Sequence, residues 1–470
     1  MRSIILSAVL TSPLLAQAPP QREDPRIHEI VAAVSADRIR ADIEQLVSFG
    51  TRNTMSDTLS ATRGIGAARR WIKAEFDRIS AACGGCLEVF YLSEEFPAGS
   101  SRLRRDEPTN IVNVVAIQRG TTDPNRMVIM SGDIDSRITQ GGNAVDSAPG
   151  ANDNASGMAG TIEAARVLTN YRFNGSIVYL GLAGEEQGLW GGQTVARVAA
   201  ERGWDITAVL NNDMIGNVEG VNGVVDNGTA RVFSDGNPPI LIDFDPDTAD
   251  REVLLGALQQ FTRTIGARRS VGSDVDGVSR QLARYVDRIA DQYVRNLDII
   301  MVYRLDRFGR GGHHTPFANR GYPAVRIMET NENYDRQHQD IRIEDGIAYG
   351  DVLEGVDFDY ARKLTALNAA TLASLAWAPA APGDVRVGGI VRADARLSWS
   401  APTDTTAFAG YRVYWRLTDS PTWDHSRWMG LATDHVFDGL VIDNYYFGVA
   451  AVGRNGTESP VAFPSGIMRP

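Results

Sequence analysis

The sequence predicts an α/β three-layer sandwich around a mostly parallel central sheet, followed by a separate all-β module. Three observations carry this. From Asn110 onward short apolar runs alternate with longer segments of helical period, a Pro- and Ala-rich stretch interrupts the chain at Ala378, and beyond it the period falls to two with frequent turn residues.

The elements follow in order. Residues 25 to about 90 read as helices, with amphipathic stretches over Ile30 to Leu46 and Ile65 to Ile79. Ile111 to Ala116 and Met127 to Met130 are strands, Asn154 to Leu168 a helix, Ser176 to Leu182 a buried strand, and Leu189 to Ala200 another helix. Val209-Leu210 leads into Asn211-Asn212-Asp213, Ile299 to Tyr303 and Ala324 to Met328 are later strands, and Gly350 to Ala376 is a long terminal helix. In such sheets ligands sit beyond the carboxyl ends of the strands, so the loops that follow each strand are where function is sought.

Ala378-Pro379-Ala380-Ala381-Pro382-Gly383 reads as an interdomain linker. After it, Ala395 to Trp399, Gly410-Tyr411-Arg412-Val413-Tyr414-Trp415 and Tyr445 to Val452 alternate as strands. With their buried Trp and the Tyr ahead of the sixth strand they resemble a fibronectin type III domain. The expected division is a signal peptide over 1–18, an enzymatic domain over 25–376, a linker over 377–383 and the β module over 384–470.

The net charge is −11, from 58 acidic and 47 basic residues, and it argues against nucleic acid or an anionic membrane as the main partner. Only Lys73 and Lys363 are lysines, and no basic cluster accompanies the arginine excess. No apolar run reaches 18 residues, so no membrane span is expected. Arg2, the apolar Ile4 to Leu15 and Ala16-Gln17-Ala18 have the layout of a secretory signal, which predicts a secreted or periplasmic protein. In an exported chain the sole cysteines, Cys83 and Cys86, most simply close a small disulfide loop, and two thiols cannot complete a zinc site.

The chemistry lies in loops at strand ends. Ser131-Gly132-Asp133-Ile134-Asp135-Ser136 follows one strand, and Gly150-Ala151-Asn152-Asp153-Asn154-Ala155-Ser156-Gly157 enters a helix. Gly184-Glu185-Glu186-Gln187-Gly188-Leu189 and Asn212-Asp213-Met214 follow two further strands, and His338 lies in a later acidic stretch, Glu332 to Asp340. Taken singly these are weak: an Asp at a helix start is usually an N-cap, and a Glu pair is usually a solvated face. Five carboxylates converging on one sheet edge would repel strongly, and bound cations resolve that repulsion. Carboxylate and imidazole without thiolate suit zinc or a harder divalent ion.

Residues from about 40 to 376 resemble the exported two-zinc exopeptidases of the aminopeptidase Y type, relatives of the glutamate carboxypeptidases and, more distantly, of glutaminyl cyclase. The resemblance rests on Gly-Ala-Asn-Asp-Asn-Ala-Ser-Gly and Gly-Glu-Glu-Gln-Gly-Leu. It implies a zinc exopeptidase-like fold and a peptide substrate. Asp153 would bridge two divalent ions, zinc by preference, with Glu186 and His338 completing one site and Asp213 serving the other. Glu185 would be the general base, and Asp135 would orient a ligand of the first site. This sequence has Asp133 where the family has His, so a first site of Asp133, Asp153 and Asp213 would be all-oxygen and would favour a harder ion such as manganese, or leave a one-metal enzyme or an inactive homologue. It also has His313 where the family segment Gly-Gly-Asp-His has Asp, with His314 following. That pattern suggests a reciprocal swap in which His313 supplies the imidazole lost at position 133, the alternative being that His313 merely packs in the substrate wall.

The expected function is therefore metal-dependent removal of N-terminal residues from peptides, an acidic pocket suiting a free α-ammonium. Arg304, Arg307 and Arg310 near His313 offer an alternative anchor, for a substrate carboxylate, which would make a carboxypeptidase. A non-catalytic peptide-binding protein is the reading from another class. Retention of Glu185 beside Glu186, Asp153, Asp213 and His338 argues against it, because a dead site has no chemical need for a base.

Overall fold

The strand Gly175–Leu182 is buried along its whole length, which requires cover on both faces and explains its unbroken apolar run. The computed structural model describes residues 18–100, 107–236, 251–272, 276–402 and 405–468. The proposed signal segment lies outside the described residues, apart from Ala18.

Three helices open the described residues: α1 (Pro25–Ala33), α2 (Ala36–Ser48) and α3 (Gly64–Ala82). Then come β1 (Leu87–Phe96), β2 (Thr109–Gln118), β3 (Asp123–Asp133), α4 (Ala155–Leu168), β4 (Gly175–Leu182), α5 (Trp190–Glu201), β5 (Asp205–Asn212) and β6 (Thr229–Ser234). The domain closes with α6 (Arg251–Ser270), α7 (Val278–Tyr293), β7 (Asp298–Val302), α8 (His314–Asn319), β8 (Ala324–Glu329), the hairpin β9 (Arg342–Glu344) and β10 (Ile347–Tyr349), and α9 (Phe358–Trp377). Eight strands form one sheet in the order β1-β2-β4-β3-β5-β8-β6-β7. One apolar core packs α1, α2, α3, α4, α7 and α9 on one face, and a second packs α5 and α8 on the other.

The sheet refines the expectation of a mostly parallel one: four of its seven pairings are parallel and three are antiparallel. Its centre, β4, β3, β5 and β8, is parallel throughout, and β7 runs parallel to β6 at the edge. The β1–β2, β2–β4 and β6–β8 pairings are antiparallel, so the sheet is mixed. Strand β1 occupies part of the stretch read as helical; its alternating burial is that of an edge strand with one solvated face. The Ile30 to Leu46 helix is two helices, because Val34 is extended and Ser35 caps α2 by accepting from the Arg38 N–H. The terminal helix starts at Phe358, with Asp357 as its N-cap, rather than at Gly350, whose φ of 116° belongs to a turn.

Seven strands follow α9: β11 (Gly383–Gly388), β12 (Asp394–Ser400), β13 (Phe408–Leu417), β14 (His425–Gly430), β15 (Asp434–Asp438), β16 (Tyr445–Gly453) and β17 (Gly466–Ile467). They make a four-stranded sheet, β15-β12-β11-β17, and a three-stranded sheet, β14-β13-β16, around one apolar core that includes Trp399, Tyr411 and Phe447. This domain is docked on the first. The buried Glu458 carboxylate accepts from Arg412 at 2.9 Å within its own domain and from Arg288 of α7 at 2.5 Å across the boundary. Arg126 of β3 donates at 2.9 Å to the carbonyls of Leu375 and Ala378, which fixes the start of the connecting segment.

Candidate metal centre

Because β4, β3, β5 and β8 are parallel neighbours, their carboxyl ends open on one edge of the sheet. The residues that follow them, Asp133, Glu185, Glu186, Asp213 and the loop carrying His338, therefore meet there. The loop with Asp153 is drawn in by close backbone approach. A Cβ on Gly157 would stand 2.2 Å from the Asn212 carbonyl oxygen, and one on Gly132 would stand 2.4 Å from the Gly157 carbonyl carbon. Only glycine allows α4 to begin so near the strand ends. The N-cap of α4 is Asn154, whose side chain accepts from the Gly157 N–H at 3.1 Å, and this frees Asp153 for another role.

Asp153, Glu186 and His338 form the group able to hold a metal ion among the described residues. His338 Nε2 lies 2.9 Å from Asp153 Oδ2 and 2.9 Å from Glu186 Oε1. Two carboxylate oxygens and one imidazole nitrogen are a catalytic zinc donor set, and the spacing is slightly under the ~3.3 Å edge of a tetrahedral site. Burial opposes a charge on His338, but the Glu186 and Asp153 carboxylates outweigh it and push its pKa up to about 10. Arg137, which nothing in the sequence singled out, lies 3.0 Å from Glu186 and 2.7 Å from His338 Nδ1. Gln337 donates to Asp153 at 3.0 Å.

Asp133 and Asp213 do not join this group. Asp133 is buried, with one oxygen 2.5 Å from His313 Nδ1 and the other accepting from Asn154 at 2.7 Å. Burial pushes the Asp133 carboxyl up and the His313 imidazole down, so it opposes charge on both members of the contact. The two exchanged residues therefore meet each other, but His313 is not among the residues that can hold an ion, and the all-oxygen site of Asp133, Asp153 and Asp213 is not assembled. Asp213 lies 2.9 Å from Arg326, which is wholly buried on β8. His314 points elsewhere, its Nε2 at 2.7 Å from the Leu305 carbonyl oxygen.

Glu185 stands beside Glu186 on the cavity wall, and burial plus the nearby carboxylates, Asp213 first, raise its pKa well above the usual range. Asp135 holds this pair in place. Its carboxylate accepts the backbone N–H groups of Glu185 and Glu186, each at 3.2 Å, and the Thr54 hydroxyl at 2.9 Å. It is thereby a positioning residue for the Glu-Glu turn.

Sequence reasoning missed several supports. Asp351 accepts the N–H groups of Asn152 and Asp153 at 2.8 and 2.7 Å, and Asn152 donates to Glu329 at 2.9 Å. Arg52 is fully buried and donates to the carbonyls of Ile134, Leu46, Pro149 and Gly150, tying two site loops together. Arg326 did carry a signal: a charged residue inside the apolar run Ala324 to Met328 is rarely buried without a partner. The cavity above the site measures 550 Å³ and is also lined by Arg137, Arg307, Arg310 and Leu189. Arg304 lies over the Phe308 ring instead.

Comparison with known proteins points to zinc metalloproteases. Residues 113–234 match the sequence profile of Peptidase family M28. A protein of Pyrenophora teres f. teres named "Probable zinc metalloprotease" is 40% identical over 95% of this chain and 88% of its own length. One of the same name from Pyricularia oryzae is 38% identical over 94% of this chain and 85% of its length. The solved Legionella pneumophila LapA aminopeptidase is similar in fold, with a TM-score of 0.51 and 19% identity over 77% of this chain and 78% of that one.

Proposed function

The chain belongs to Peptidase family M28, and on that premise we propose that this zinc metalloprotease is an exopeptidase that removes N-terminal residues from peptides, with Glu185 as its general base. The observation that carries the proposal is the convergence of Asp153, Glu186 and His338 at the floor of an open cavity with Glu185 beside them. Zinc held there would polarise the scissile carbonyl and acidify an attacking water toward a pKa of about 7. Because Glu185 and Glu186 are adjacent, their side chains diverge, so one can hold metal while the other faces the water. Glu185 takes the water's proton as the new C–O bond forms. It returns that proton to the amine as the C–N bond breaks.

Removal from the N-terminus is supported by the likeness in fold to the LapA aminopeptidase. A carboxypeptidase is the second reading, and Arg310 favours it. Arg310 lines the same cavity with only long contacts, 3.4 Å to Gln337 and 3.7 Å to Glu332, so its guanidinium can turn to a substrate carboxylate. We also read the protein as secreted or periplasmic. The Arg2 to Ala18 pattern and the Cys83–Cys86 disulfide support export. We read the C-terminal sandwich as fibronectin type III-like, supported by Trp399 packed edge-on against Tyr411 at 5.5 Å between its two sheets.

The test is mass spectrometry of one peptide in free, N-acetylated and C-amidated forms, with and without chelator. Stepwise loss from the free N-terminus, blocked by acetylation and by chelator, is the expected result. Loss from the C-terminus, blocked by amidation, would move the assignment to carboxypeptidase. Hydrolysis untouched by chelator, or none after zinc is restored, would overturn the proposal.

A further inference from the structure

We propose that the second cation of this site is the guanidinium of Arg326, so that the centre takes up a single metal ion. This deepens the reading just given and rests on it. The carboxylates at the strand ends divide into two groups. Asp153 and Glu186 face His338 across an open cavity floor, the arrangement that accepts an ion. Asp213 is occupied by protein: Arg326 lies 2.9 Å from its Oδ2 and donates at 3.2 and 3.4 Å to its backbone oxygen.

Three features make Arg326 a fixed occupant rather than a side chain that moves aside for metal. All its nitrogens are in use, since NH1 also donates to both oxygens of Asp306, at 3.1 and 3.0 Å, and to the Gly311 carbonyl at 2.8 Å. It rises from β8, a fully buried central strand whose Arg326 pairs with Asn211 of β5. Its exposure is 0%, and moving it aside would leave the buried Asp213 and Asp306 carboxylates without their counter-charge. The remaining donor of a second ion site is also taken, because both Asp133 oxygens are engaged by His313 and Asn154. A guanidinium supplies positive charge and five fixed N–H groups but no open coordination position, so it can neutralise Asp213 and cannot activate water. Water activation then falls wholly to the ion at Asp153, Glu186 and His338.

The test is the zinc stoichiometry of the full chain. The purified protein is stripped with chelator, titrated with zinc, freed of loose metal by gel filtration and measured by plasma mass spectrometry, with cobalt(II) absorption titration as the second readout. One tight equivalent per chain is expected, with a single cobalt absorption transition complete at that equivalent. Asp133→Asn should leave the count at one, and His338→Ala should take it to zero. Two equivalents retained by the wild-type chain would overturn this inference and leave the proposed function standing. No zinc retained, together with chelator-insensitive hydrolysis, would overturn both. Because the count is made on the wild type, no unfolded Arg326 variant can blur the result.

Discussion

The two sides of one carboxylate-lined floor contain the same kind of residue and do opposite things. On one side Asp153, Glu186 and His338 keep 11%, 8% and 17% of their side chains exposed to the cavity. On the other, Asp133 and Asp213 keep 2% and 4%, against His313 at 0% and Arg326 at 1%. A partly open carboxylate pair with one imidazole can exchange its counter-charge for a metal ion. A sealed pair cannot, because a buried carboxylate must have its partner already in place when the chain folds. What separates an ion site from a structural pair here is therefore the depth of burial and the prior claim of a protein cation, not the presence of Asp.

The largest expected effects break each side in turn. Glu185→Gln removes the proton carrier from the open side without removing a metal donor. It should lower kcat by about 10²–10⁴-fold, with zinc content unchanged, in steady-state kinetics paired with metal analysis. A loss under tenfold would remove Glu185 from the mechanism. On the sealed side, Arg326→Ala strands Asp213 and Asp306 as buried charges. It should destabilise the fold by about 3–5 kcal/mol in urea unfolding. An unchanged midpoint would show that the guanidinium is not the counter-charge of this half.

That contrast also marks the boundary of what the sequence made legible. The family motifs drew attention to the Asp153 and Glu185-Glu186 loops, and the strand periodicity put the loops after β3, β4 and β5 at one sheet edge, because local patterns report which strand end a residue follows. Local patterns do not report partners distant in the chain. Arg326 lies 113 residues beyond Asp213 and His313 lies 180 beyond Asp133, and the structure pairs both couples. The motif departure at Asp133 and His313 pointed to the right two residues, yet burial made them a pair with each other and not a ligand set. The fold misreadings have the same origin. Strand β1 was hidden because half of its residues face solvent, and the reversal of β6 against β8 is a property of pairing that no single segment encodes.

Smaller changes sharpen the comparison by altering support and not participants. Asp135 holds the Glu185-Glu186 turn through two backbone N–H groups. Asp135→Asn keeps the shape and one acceptor but offers an amide where a carboxylate met the second N–H. The expected loss is about 10–100-fold in kcat or zinc affinity, the usual range for groups that orient metal ligands. A structural role alone would lower the melting temperature and leave kinetics per folded molecule untouched, so both are measured. Asp135→Glu, longer by one methylene, should not rescue.

The smallest effect concerns a carboxylate with neither an ion site nor an ion-pair partner among the described residues. Asp287 of α7 is partly buried, and burial first, then the neighbouring Asp291 and Asp298, push its pKa up to about 7 from an ordinary 3.8. Arg284 offsets this only in part. Where the site floor meets carboxylate burial with metal on one side and with Arg326 on the other, this position meets it by keeping its proton. The folded state then binds that proton more tightly than the unfolded chain does. Stability from this group is accordingly complete below pH 3.8 and is lost as pH rises through about 7. Asp287→Asn removes the titration, so its melting temperature relative to wild type should rise steadily between those limits and level off above them, as read by thermal unfolding at a series of pH values. A constant offset across the series would mean that Asp287 is already ionised in the folded protein and that its partial exposure is enough to hydrate it.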